Sequence, residues 1–150
     1  HLLDLAMVPA AVVRTVDGVT GSLQYVPQSL VTEGRRAGGD ARIDAWCPLE
    51  DQWHAMFVFD AVIGNGPRTP DEVAYVPASG HLVLTGHHAA FGSGTGIPAQ
   101  LQKVDLSLNG LWKLRLATLE TPEGRDRLLE VLPRRQYEAL VKRARALAAH

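Results

Sequence analysis

The sequence predicts an α+β fold, on three observations. Two short hairpin signals punctuate its first two thirds, a densely apolar helical stretch lies between them, and the remainder has helical spacing. The expected order is a helix, a hairpin, a buried helix, a second hairpin and two or three closing helices. At 150 residues, 46% of them hydrophobic, one domain with a modest core is expected.

Each element has its own reason. HLLDLAMV places Leu2, Leu5, Met7 and Val8 at helical spacing, and Pro9 stops the run. AAVVRTV is β-branched, Asp17-Gly18 is a two-residue hairpin turn, and GSLQYVP supplies the returning strand. Residues 29–51, with GRRAGGD inside, read as a polar, glycine-broken crossover, the place for a hinge or a disordered loop. DQWHAMFVFDAVI is too densely apolar for one stripe and reads as a helix buried nearly all round. GNGPRTPD ends it, and EVAYVP and HLVLTG form the second hairpin around ASG. After the loop FGSGTGIP the tail is helical. Thr121 is placed to cap a helix that has Pro122 at its first position, and Pro133 breaks that helix from a final one. In the final helix Tyr137, Leu140, Val141, Ala144 and Leu147 mark the inner face.

Charge and composition exclude several functions. Fifteen basic against sixteen acidic residues leave a net charge of −1, so there is no general attraction to nucleic acid or to an anionic membrane. No nucleic-acid partner is expected. No apolar run approaches the roughly 20 residues of a membrane span. Cys47 is the single cysteine, which excludes an intrachain disulfide and suits a reducing, cytoplasmic location. The start lacks a basic leader, and with His1 in place of Met the chain is expected to be a piece of a longer polypeptide.

The stretch most suggestive of chemistry is 57–92. Phosphoryl transfer needs a positioning carboxylate near the nucleophile and Mg²⁺ held against the phosphates by Asp and Asn oxygens. FVFDAVIGN, PRTPDE and LVLTGHHAAF follow one another here. Over roughly residues 50–95 this text resembles the catalytic core of the atypical kinases related to phosphatidylinositol 3/4-kinases and of HipA-like bacterial kinases. There the pattern is close to FDxLIGNxDRxxxN followed by LxLIDHxxAF. The resemblance implies a kinase-like large lobe, mostly helical with short hairpins, over residues 52–150. It also implies a crossover at 29–51 and the last helix and strands of a truncated small lobe at 1–28. The glycine-rich phosphate cover and the nucleotide-anchoring lysine would lie before His1.

Asn65, Arg68 and His87 match the family pattern. The family's catalytic Asp falls on Pro67, its metal-binding Asn on Glu72 and its second metal-binding Asp on Gly86. Proline carries no acid and glycine no ligand, and losing both removes the charge stabilisation that carries most of this catalysis. The resemblance therefore implies a degenerate kinase-like domain, inactive or nearly so, with a binding or regulatory role and no cofactor. The alternative is an active phosphotransferase using ATP and Mg²⁺, with Asp71 and Glu72 as substitute ligands. It would act on a protein hydroxyl, a small alcohol or a lipid headgroup. A third reading is an unrelated α+β interaction module. Missing small-lobe strands would leave an uncovered sheet edge at residues 1–27, where a protein partner or self-association is expected.

The other polar residues have plainer expectations. Asp71 and Glu72 solvate a turn, and Asp60 bonds a neighbouring backbone group because a buried free carboxylate is costly. GSGTG at 92–96 lacks the spacing and lysine of a phosphate loop and is expected to be mobile. His81, His87 and His88 lack the Cys or acid that would complete a metal set, so they are expected to pack. Nothing around Cys47 makes it a nucleophile. The basic run of Arg134, Arg135, Lys142, Arg143 and Arg145 is expected to be a solvated helix face.

Overall fold

A computed structural model describes Leu3 and residues 5–149. Among them are five α-helices and two small antiparallel sheets, an α+β architecture. The chain divides into two compact units. Leu5–Leu49 with Arg68–Gly86 forms one, and Glu50–Pro67 with the chain from His87 onward forms most of the other.

The first unit holds all the strands among the described residues. β1 (Ala11–Val16) and β2 (Val19–Gln24) pair antiparallel around Asp17 and Gly18, whose φ angles of 51° and 80° give the left-handed turn that Asp-Gly accommodates. β3 (Val31–Thr32), β4 (Val73–Val76) and β5 (His81–Leu84) form a sheet in that order, with Val31 opposite Tyr75 and Val73 opposite Leu84. The Leu84 N–H donates to the Met7 carbonyl at 2.8 Å, extending the pairing past β5. Val73, Ala74, Tyr75, Leu82, Val83 and Leu84 are buried, the continuous apolar run of a strand pair covered on both faces. Gly80 closes the β4–β5 turn at a φ of 64°, and a Cβ there would run into Ala45.

Residues 29–51 are more ordered than expected. They contain β3 and then α1 (Glu33–Ala37), whose first turn is capped by Thr32 Oγ accepting from the Arg35 N–H at 3.4 Å. Glu33 is bound by Arg36 through two contacts of 2.6 Å and accepts from Tyr75 Oη at 2.8 Å. That bridge ties the short helix to β4, an interaction between distant residues that local composition does not announce. Beyond it, Trp46 stands 81% exposed. The helix expected over HLLDLAMV falls partly on residues outside the described ones. Its described part from Leu5 to Val8 forms turns and a bend instead. A run this short, ended by proline, has too few propagating bonds to offset helix nucleation.

The second unit is helical: α2 (Leu49–Ile63), α3 (Gly110–Ala117), α4 (Pro122–Leu129) and α5 (Arg134–Ala148), with a 3-10 turn at Ala99–Leu101. α2 starts exposed at Glu50 and Asp51 and ends in four consecutive buried residues, Asp60–Ile63. Burial all round therefore holds for its C-terminal end only. Asn109 Oδ1 caps α3 through the Trp112 N–H at 3.0 Å, so Trp112 and Leu116 face inward one turn apart. Thr121 Oγ caps α4 through the Gly124 N–H at 3.1 Å, with Pro122 in the first turn. α5 buries Ala139, Leu140, Val141, Ala144 and Leu147.

Candidate functional site

In the helical unit the end of α2 forms a buried polar knot. Asn65, only 2% exposed, donates from its backbone N–H to the Asp60 carbonyl at 2.9 Å and from Nδ2 to Asp60 Oδ1 at 3.3 Å. Its own carbonyl accepts from Gln100 Nε2 at 2.9 Å. Asp60, 4% exposed, thus has side-chain and backbone partners, as a buried carboxylate requires. Pro67 is exposed and its side chain offers no ligand atom. His87 packs edge-on against Phe59, with ring centroids 5.9 Å apart. His88 is exposed.

The same unit holds a group missing from the residues selected by sequence. Arg143, read above as part of a solvated face, is 1% exposed. Its Nε donates to the Val62 carbonyl at 2.9 Å and its Nη1 to the carbonyls of Gly92 and Gly94, while Nη2 is buried with no hydrogen-bond partner among the described residues. A cation at the carbonyl end of α2 is favourable for the helix dipole. Burial still pushes the guanidinium pKa below its ordinary value. Gly64, at a φ of 67°, makes room for it, since a Cβ there would lie 2.8 Å from Arg143 Cζ. The signal was in the spacing, because Arg143 sits three residues after Leu140 and four before Leu147, on the buried face of α5. The GSGTG loop is exposed, yet its backbone is fastened by this side chain.

In the strand unit a second cluster joins the segment 68–72 to the end of β5. Arg68 Nη1 donates to the Thr85 carbonyl. Thr85 in turn donates its N–H to the Glu72 carbonyl at 3.0 Å. The Glu72 carboxylate accepts from the Thr69 N–H at 2.7 Å and from Thr69 Oγ1 at 3.1 Å, closing a tight local turn. Gly86 follows at a φ of 70°, and a Cβ built on it would overlap the Glu72 carboxylate and lie 2.7 Å from Glu72 Cγ. Glu72 therefore fills the space beside Gly86. Asp71 is exposed beside Gly34, whose Cβ position would be 3.4 Å from Asp71 Oδ1.

Arg68, Glu72 and Gly86 thus share one cluster, while Asn65 joins Asp60 and Gln100 in the other unit. His81 Nε2 hydrogen-bonds the Ala6 carbonyl at 2.8 Å. Among the described residues no group of three or more His, Cys, Asp or Glu stands close enough to hold a metal ion. A cleft of about 280 Å³ lies beside α1, lined by Arg36, Arg42, Ile43 and Leu49 among others. Arg36 is already engaged by Glu33 there. None of the described helices is long and apolar enough to cross a membrane. No protein-family model matches the chain, and no curated protein matches it.

Proposed function

We propose that the chain is a degenerate kinase-like domain whose role is binding or regulation, not phosphoryl transfer. One observation carries this reading. The two positions on which the resemblance sets the family's metal-binding Asn and Asp, Glu72 and Gly86, lie against one another in a single unit, and the side chain of the first occupies the place of the second. Adjacency is what a shared metal site would require of these positions. The exchange of a small ligand for a larger one at 72, matched by loss of the side chain at 86, is what a filled site would require. Glu72 accepts two hydrogen bonds from Thr69, which directs its carboxylate into its own turn. Pro67, at the place of the catalytic acid, has no group to orient a hydroxyl.

Melting of the chain with and without ATP and Mg²⁺ or Mn²⁺ tests the reading, because any ligand that binds the folded state stabilises it by mass action. The expected outcome is an unchanged melting temperature and no phosphoryl transfer. An upward shift with Mg-ATP that Asp71→Ala with Glu72→Ala abolishes would overturn it in favour of a working phosphotransferase. The hairpin β1–β2 is the surface through which the binding role would be exercised.

A further inference from the structure

The chain has two asparagines, and each stands directly before a glycine: Asn65-Gly66 and Asn109-Gly110. In such a pair the glycine backbone nitrogen can attack the asparagine side chain, because no Cβ on the following residue shields it. The bond from the glycine nitrogen to the asparagine Cγ forms and the Cγ–Nδ2 bond breaks. The side-chain nitrogen leaves as ammonia, matching the proton that the glycine amide gives up. Water then opens the five-membered imide at one carbonyl to give aspartate, or at the other to give isoaspartate. Attack requires rotation about the asparagine Cα–C bond, so any contact that fixes the side chain or the linking carbonyl slows it.

The two pairs are held very differently. Asn65 is buried, its Nδ2 donates to Asp60 Oδ1 at 3.3 Å, and its carbonyl accepts from Gln100 Nε2 at 2.9 Å. A Cβ at Gly66 would lie 3.2 Å from that of Ala89, so this peptide is also crowded. Turning it means opening the interior at the end of α2. Asn109 is exposed and extended, with a ψ of 172°, at the N-cap of α3. Two bonds restrain it, and both belong to the first turn of a helix. Its Oδ1 accepts from the Trp112 N–H at 3.0 Å and its carbonyl from the Lys113 N–H at 3.1 Å. First turns open far more readily than cores. The Gly110 N–H is one of the donors that a helix start leaves without an intrahelical acceptor. A side chain at Gly110 would meet nothing within 4 Å, so there is room for the ring.

We propose that Asn109 is a site of spontaneous deamidation in the folded chain, while Asn65 is protected by burial. The products act differently on α3. Aspartate keeps the cap, and its charge suits the positive end of the helix dipole. Isoaspartate routes the main chain through Cβ, which lengthens it and takes the acceptor away from the Trp112 N–H. Trp112 is buried, so the isoaspartyl product loosens the start of α3 where that helix is anchored. The inference is independent of the kinase-like reading.

Ageing the full chain, folded and in urea, and mapping its peptides by mass spectrometry tests this. Trypsin releases the two asparagines on separate peptides, 104–113 and 43–68. In urea both should convert at similar rates. In the folded chain Asn109 should react within about tenfold of its unfolded rate, the slowing expected from one cap. Asn65 should be at least about 100-fold slower than when unfolded, because it waits on opening of the core. The rate at Asn109 should rise with pH, since the amide nitrogen attacks as its anion. Gly110→Val, for which there is open space, should stop the reaction at Asn109, and Asn109→Asp should melt as the fresh chain does. Equal rates at the two sites in the folded chain, a rate insensitive to pH, or undiminished conversion in Gly110→Val would overturn the proposal. So would an aged chain carrying isoaspartate at 109 that melts no lower than Asn109→Asp.

Discussion

Gly86 and Glu72 decide how the proposed degenerate site is tested at the scale of single residues. Placing an acid at position 86 with Gly86→Asp forces Glu72 out of its turn and breaks its two bonds to Thr69, a loss of about 1–3 kcal/mol. Aspartate tolerates a positive φ better than most residues, so the clash, not the backbone, is the main cost. Glu72→Asn shortens the neighbour, and a double-mutant cycle by urea unfolding should give a favourable coupling of about 1 kcal/mol between the two changes. Additive effects would mean that the two side chains do not compete for one space. The resemblance alone pointed to positions 72 and 86. That Glu72 fills the gap was not readable, since it depends on how the segment 68–72 lies against the end of β5.

Helix ends set the predictions for elements. Thr121→Ala removes the oxygen that satisfies the Gly124 N–H and should cost about 1 kcal/mol in chemical unfolding. This cap was legible because Thr followed by Pro is a local signal. Arg143 was not, because its partners at Val62, Gly92 and Gly94 come from distant segments. Arg143→Met keeps much of the side-chain volume and relieves a buried charge, which offsets part of its cost. The carbonyls of Gly92 and Gly94 lie in an exposed loop and can turn to water, while the Val62 carbonyl stays buried and orphaned. The net expectation is a loss of about 1–3 kcal/mol. Amide exchange should speed up at 92–96 and hold at Leu140–Leu147. Similar reasoning covers α1: a threonine cap and an early glutamate marked it within GRRAGGD's neighbourhood, but the glycines concealed it.

Whole-molecule behaviour depends on groups whose charge changes on folding. Hydrogen bonding to Arg36 holds the Glu33 carboxyl below its ordinary pKa of 4.5, against the opposing effect of burial, and the bond from Tyr75 lowers it further. A depressed carboxyl pKa contributes stability that is fully present above the unfolded value and is lost as pH falls through the folded one. The melting temperature of the chain should therefore drop as pH falls below about 4.5, and Glu33→Gln should flatten that decline. A wild-type curve no steeper than the variant's would remove Glu33 from the account. At this scale composition predicted the α+β class correctly, because the 2-residue and 3.6-residue periods are local properties of the chain. The division into units depends on which distant segments meet, as with Glu33 and Tyr75, and periodicity carries no record of that.

Three tryptophans are distributed unevenly between the units: Trp53 and Trp112 lie on helices of one, and Trp46 is the only indole of the other. Water surrounds Trp46, whereas Trp112 is shielded from it. Acrylamide should quench the red-shifted part of the native emission first, leaving a bluer remainder dominated by the helical half. The neighbouring Cys47 then gives a chemist a place to attach an acceptor dye beside that indole, so that each half can be watched by its own colour as the protein melts.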